Sequence, residues 1–305
     1  MKAVNSTLRR SAARRGIRFP SPLNGERASV RGENDEPLTM WKVSRRTHPS
    51  PSIPLGGIVA CLLVCIVLVP QMAGAADSSS ARVLLVTGID YPGHKWRETT
   101  PVLVEALTND ARLRVDVLED PYRLDTTDLS PYRAVFLHFM NWEKPDPNDK
   151  AKENLRSFVE RGGGVVMIHF ACGAFQDWPE FRNLAGRIYD RTNTHDPRGP
   201  FTVEIAKTNH VITRGMAPFG VEDELYICLA GEKPIDVLAT ARSKITKRDH
   251  PMAFVHSYGK GRVFQTPLGH DVKALRSGRT IELIRRGTLW AAGLENESRR
   301  SQHLD

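Results

Sequence analysis

From Arg82 onward, short apolar runs alternate with segments of helical spacing. Val83–Thr87 is an apolar run of strand length, and Thr100–Leu107 then puts Val102, Leu103, Ala106 and Leu107 on one helical face. Leu113–Leu118 alternates apolar and polar positions, and Ala134–His138 is again continuous. Ala151–Arg161 gathers Leu155, Phe158 and Val159 on one face and runs into Gly162-Gly163-Gly164, a helix stop. Val165–Ile168 is a further all-apolar strand. Continuous apolar strands separated by helices predict an α/β fold, with a parallel sheet covered on both faces. After Gly199-Pro200 the texture becomes more β-rich: Phe201–Ile205, Leu225–Leu229, Val237–Ala239, Met252–His256 and Arg262–Thr266 read as strands. Tyr258-Gly259-Lys260-Gly261 reads as a hairpin turn and Thr280–Ala292 as a last helix. The pattern predicts one domain over 77–295 and a polar tail over 296–305.

The first quarter of the chain lacks this texture. Residues 1–39 are rich in Arg, Ser, Pro and Gly without an apolar period, and read as a disordered or mis-assigned N-terminus, with Met40 the expected start. Lys42, Arg45 and Arg46 precede the apolar, uncharged run 55–69, and Ala73-Gly74-Ala75 follows it. A basic flank, a short apolar stretch and small residues at the cut describe a secretory signal over 40–75, cleaved after Ala75. An export signal implies a periplasmic or secreted protein that touches a membrane only through this segment, if it stays uncleaved.

The net charge of +8 suggests a polyanion partner until it is located. Residues 1–76 hold 11 basic and 4 acidic residues, which leaves 32 and 31 for the rest of the chain. Steering of nucleic acid needs a concentrated field of one sign, so no nucleic-acid partner is expected. Cys172 and Cys228 are the two cysteines of the folded part. Two distant thiols make no disulfide framework, although a single bridge between them stays open.

In a parallel sheet, ligands bind at the carboxyl ends of the strands. The segments that follow the expected strands carry His94 and Trp96, then Asn141 and Trp142, then His169, and later His195, Glu224, Tyr226, His270 and Asp271. Several imidazoles, a few carboxylates and two indoles on one rim would form a polar pocket with aromatic walls, which suits a sugar or polyol. Plain structural roles compete with these assignments. His94 reads equally as a loop residue, Trp96 and Trp142 as core caps, His169 as a core histidine and Asp271 as a helix N-cap. Of the adjacent Asp223 and Glu224, one is expected simply to be solvated. His138, His210, His250 and His256 read as structural or surface residues, and Cys172 as a small buried residue.

An ordered set of segments then resembles a known family. The set includes Val86-Thr87-Gly88 with His94-Lys95-Trp96, Asn141-Trp142, and His169-Phe170-Ala171 with Gly173 to Pro179, which includes Asp177. Gly199-Pro200-Phe201, His210 to Gly215, Asp223 to Tyr226, Tyr258 to Val263 and Leu268 to Asp271 continue it. The chain resembles the ThuA-like (trehalose utilisation) family over about 82–293. The resemblance implies a flavodoxin-like fold of the class I glutamine amidotransferase type and a role in carbohydrate metabolism. It places His169 where those amidotransferases carry a nucleophilic cysteine, and His270 near their catalytic histidine. Imidazole in place of thiolate removes the acyl-enzyme route, so glutaminase activity is not expected. The sequence departs from the commoner loop at Ile89-Asp90, where a second histidine is usual.

Three functions stay open for a small-molecule carbohydrate. The first is acid–base chemistry on a disaccharide, glycoside or 3-keto-sugar. His169 and His270 would form the pair, with Glu224 as helper, and His94, Trp96, Asn141, Trp142, Asp177, His195, Tyr226 and Asp271 would hold the substrate. The second is a divalent metal, Zn²⁺ or Mn²⁺, on candidates from His94, His169, Glu224 and His270, serving a hydrolase or lyase. The third is a non-catalytic sugar-binding domain. Whether the chain is an enzyme and whether it forms a homo-oligomer are left open.

Overall fold

The computed structural model describes residues 80–294; the expected N-terminal region 1–39, signal segment 40–75 and polar tail 296–305 lie outside them. The elements run in chain order as β1 (Ala81–Val86), α1 (Trp96–Thr108), β2 (Leu113–Leu118), β3 (Ala134–Leu137), α2 (Asp149–Glu160), β4 (Gly164–Ile168) and α3 (Pro179–Ala185). They continue as β5 (Thr194–His195), β6 (Gly199–Ile205), β7 (Phe219–Asp223), β8 (Tyr226–Ile227), β9 (Asp236–Arg242), β10 (Asp249–Tyr258), β11 (Gly261–Thr266), α4 (Val272–Leu275) and α5 (Thr280–Ala291).

Nine strands form one sheet in the order β2-β1-β3-β4-β11-β10-β9-β6-β7. The first five are parallel, in the 2-1-3-4-5 order of flavodoxin-like sheets. The remaining four pair antiparallel. Side-chain alternation explains why the parallel strands are apolar throughout: Val83 and Leu85 enter a core with α1 and α5, while Leu84 and Val86 enter a second core with α2 on the opposite face. Each fully buried Val, Leu or Phe contributes about 1.5–3 kcal/mol through apolar burial. The expected inward faces of both helices are buried, Val102, Leu103, Ala106 and Leu107 in α1 and Leu155, Phe158 and Val159 in α2.

Several elements differ from the pattern reading. Leu225–Leu229 shrinks to the two-residue β8, which pairs with β5 in a separate small sheet. The strand reading missed β7, whose Gly220, Glu222 and Asp223 break any apolar run, and missed α3, a seven-residue helix begun by Pro179. Cys172 and Cys228 are both free thiols, so the bridge that stayed open does not form. Among the described residues no helix is long and apolar enough to cross a membrane.

Candidate functional site

Three histidines follow the carboxyl ends of three parallel strands, each at or directly after a left-handed backbone position. β4 ends at Ile168, and His169 itself adopts the left-handed region at φ 44° as it opens a tight helical turn. A non-glycine residue there costs on the order of 1 kcal/mol or more, and such strain gathers at functional turns. His94 follows Gly93 (φ 83°) in the loop after β1, and His270 follows Gly269 (φ 110°) after β11. At Gly269 a Cβ would lie 2.9 Å from the Leu275 side chain, so glycine lets the loop turn tightly enough to present His270.

The three rings meet at one point. His169 Nε2 lies 3.1 Å from His94 Nε2 and 3.1 Å from His270 Nδ1. Glu224, at the end of β7, brings Oε2 to 3.5 Å from His169 Nε2 and 3.3 Å from His270 Nδ1. The hydroxyl of Tyr226 is 3.0 Å from the same His169 Nε2. One ligand atom from each of His94, His169, Glu224 and His270 falls within 4.8 Å of all the others.

Neighbouring backbone fixes the rings. His169 Nδ1 is 2.9 Å from the carbonyl of Pro267; a carbonyl only accepts, so Nδ1 carries a hydrogen, and the neutral ring then turns its Nε2 lone pair to the cluster. Asp223, expected to share a solvated pair with Glu224, is wholly buried instead. Its carboxylate accepts from the backbone N–H of Gly269 (2.6 Å), Glu224 (2.8 Å) and His270 (3.3 Å), and so ties the Glu224 and His270 loops together. Neither member of that pair is solvated, because the Glu224 side chain is only 14% exposed.

The electrostatics place one ionised carboxylate among the three rings. Burial, and then the adjacent His169 and His270 rings, push the His94 imidazolium down to about 2, so the ring is neutral. Burial works to raise the Glu224 carboxyl, but the adjacent His169 and His270 rings prevail and hold it well below the usual carboxylate range. Burial likewise opposes protonation of His270, yet its hydrogen bond to Glu224 raises it overall. Burial dominates at Tyr226 and pushes its phenol well above the ordinary value, so the hydroxyl is protonated.

The remaining expected residues divide. Trp142 is half-buried, donates Nε1–H to Gly173 O at 2.7 Å, and forms an aromatic row with Tyr91 (6.3 Å) and Tyr189 (5.7 Å); Tyr189 in turn lies 4.6 Å from Tyr226. His195, across from Tyr226 in the small sheet, holds Nδ1 against Asp196 O and brings Nε2 to 4.0 Å from Glu224 Oε1. Asp271 N-caps α4 through Ala274 N–H and pairs with Arg198 at 2.5 Å. Asn141 is spent as a loop brace: it donates to Asp146 Oδ1 and accepts from Phe175 N–H. Trp96 is buried in the first turn of α1 under the Arg97 guanidinium, outside the cluster. Asp177 is exposed, with its N–H on Asp146. Tyr189 and Asp223 were missed as site residues: Tyr189 lies in a segment without periodicity, and an acidic pair does not say which member is buried. Burial lifts the Cys172 thiol to about 12, which makes it an inert core residue.

A concavity of about 640 Å³ lies elsewhere, at the amino ends of β3 and β4, among Arg133, Arg161, Lys260 and Arg262. The carboxyl termini of α2 and α5 open into it, and cations complement such helix ends. It carries none of the chemistry gathered at the opposite rim.

A parallel sheet in the order 2-1-3-4-5 with a histidine at the strained turn after its fourth strand defines an α/β protein of flavodoxin-like fold. The sequence matches the family described as trehalose utilisation (ThuA) over residues 82–291, and the chain belongs to that family. Its membership makes it a carbohydrate-utilisation-related protein. A ThuA-like protein of Parabacteroides merdae is 26% identical, with 70% of this chain and 90% of that one covered at a TM-score of 0.63. A ThuA-like protein of Bacteroides uniformis shares the fold at 18% identity, with 70% and 91% covered and a TM-score of 0.56. No curated protein matches the chain.

Proposed function

We propose that the protein processes a disaccharide, glycoside or 3-keto-sugar as a hydrolase or lyase that uses a divalent cation held by His94, His169, Glu224 and His270. Crowding at one atom carries this reading. His169 Nε2 has a single lone pair, yet His94, His270, Tyr226 and Glu224 all approach it within 3.5 Å. Hydrogen bonding satisfies one of these approaches, whereas a cation among them satisfies the three imidazoles and the carboxylate together. A tetrahedral ion with bonds of 2.0–2.1 Å sets its ligand atoms about 3.3 Å apart; four of the six separations, 3.1, 3.1, 3.3 and 3.5 Å, bracket that value, and all six lie within 4.8 Å. Zn²⁺ and Mn²⁺ both accept such a donor set. When bound, such an ion polarises a sugar oxygen or makes water a stronger acid.

Family membership supports the carbohydrate. The half-buried row of Tyr91, Trp142 and Tyr189 supplies aromatic faces for C–H packing, and His195 lies against Tyr226 at 6.1 Å between ring centroids. The 40–75 segment supports an exported protein, cut after Ala75, and N-terminal sequencing of the native protein tests that. A second reading keeps His169 and His270 as a metal-free acid–base pair, favoured by the His270–Glu224 contact at 3.3 Å.

Turnover on a panel of 3-keto-glycosides separates the readings. The metal reading expects activity with Zn²⁺ or Mn²⁺ that disappears on chelation and in His169→Ala. Undiminished activity in chelated protein assigns the acid–base route. Calorimetric sugar binding without turnover assigns a binding domain.

A further inference from the structure

Tyr226 has a role at this centre beyond lining it, an inference that rests on the metal reading above. Its side chain is 5% exposed, and its hydroxyl has one hydrogen-bond partner among the described residues, His169 Nε2 at 3.0 Å. Because His169 Nδ1 donates to Pro267 O, the neutral ring offers Nε2 as an acceptor, and the Tyr226 hydroxyl is its donor. The phenol is held firmly. Residue 226 pairs with His195 in the small sheet, and the ring packs 4.6 Å from both Tyr189 and His169.

A cation that takes the Nε2 lone pair removes the only acceptor this hydroxyl has. The group stays buried beside the centre, where an unmade hydrogen bond leaves the full desolvation of the hydroxyl uncompensated. The ring cannot swing away without breaking its packing. Glu224 turns Oε2 to the centre and Oε1 toward His195, so the acceptor for this hydroxyl comes from whatever else the ion binds. We propose that Tyr226 donates its hydroxyl hydrogen to an oxygen of the exogenous ligand at the ion, and so selects ligands that present a hydroxyl or carbonyl oxygen over ligands that cannot accept. Tyr226 is then a specificity-determining residue, and the centre favours an oxygen-rich molecule on physical grounds separate from the family's description.

The test uses Co²⁺-loaded protein, wild type and Tyr226→Phe, with acetohydroxamate as the oxygen probe and imidazole as the probe whose bound nitrogen has no lone pair left. Binding is followed in the visible Co²⁺ spectrum, which needs no turnover. Tyr226→Phe is expected to take up Co²⁺ as wild type does, to bind acetohydroxamate about 3- to 10-fold more weakly, the worth of one hydrogen bond, and to bind imidazole unchanged. Equal acetohydroxamate affinity in the two proteins overturns the proposal, as does equal weakening for both probes, which marks a packing role. Loss of Co²⁺ uptake in Tyr226→Phe alone also overturns it, because Tyr226 would then support the ion itself. A wild type that binds Co²⁺ but neither probe has no open position, and the proposal falls while the metal reading stands. A wild type that takes up no Co²⁺ removes both.

Discussion

Acid is a perturbation whose effect can be worked from two buried imidazoles. His94 and His138 are pushed down to about 2 and about 3, each mainly by burial. An unfolded chain protonates histidine near 6.5. Below that value the unfolded state takes up a proton at each site that the folded state refuses, so stability falls as pH drops, by about 1.4 kcal/mol per pH unit for each proton. Between pH 6 and 5 the pair removes roughly 2.5 kcal/mol. His250 and His256 shift in the same direction and add to the slope, so a difference between proteins isolates one group. His138→Gln is the suitable variant: His138 Nε2 lies 2.8 Å from Thr99 Oγ1, and a glutamine amide reaches the same hydroxyl without titrating. Urea unfolding of metal-free protein at pH 6.0 and 5.0 should show a pH slope about 1.2 kcal/mol smaller in the variant. Parallel slopes would refute the reasoning, because they mean that folded His138 accepts its proton in the core.

Other expectations follow from single contacts. Asp223→Asn weakens the three backbone ties to Gly269, His270 and Glu224; it should lower metal affinity about 10- to 100-fold, read by chelator competition, with little change in circular dichroism. Gly269→Ala meets both a positive φ and the Leu275 side chain at 2.9 Å; a loss of about 1–3 kcal/mol is expected in denaturant unfolding. In native protein Cys228 is exposed and Cys172 buried; peptide mapping after a thiol reagent should find label at Cys228 and none at Cys172.

The parallel half of the fold was legible because each strand there is buried on two faces and therefore apolar at every position, as in Val165–Ile168. The second half was less so. β7 (FGVED) ends in Asp223 and is followed directly by Glu224, the two acidic residues that build the centre, so function overrides the strand pattern at that point. The three histidines were legible as strand-end residues, and their convergence follows from the parallel order of β1, β4 and β11. What sequence could not supply was direction. Asn141 and Trp96 lie on expected segments, but one side chain is consumed by its own loop and the other by α1. Asp223 and Glu224 are neighbours with opposite duties, because successive residues at a strand end point to opposite sides.

Elemental analysis of the native protein, purified without a histidine tag, tests the account most directly. It predicts close to one divalent ion per chain, removed by chelation, restored by Zn²⁺ or Mn²⁺, and absent from His169→Ala and His270→Ala; an ion at 100 times its Kd should stabilise the fold by about 2.7 kcal/mol. Folded wild-type protein that is isolated without metal, and gains neither bound ion nor stability when Zn²⁺ or Mn²⁺ is added, would contradict it.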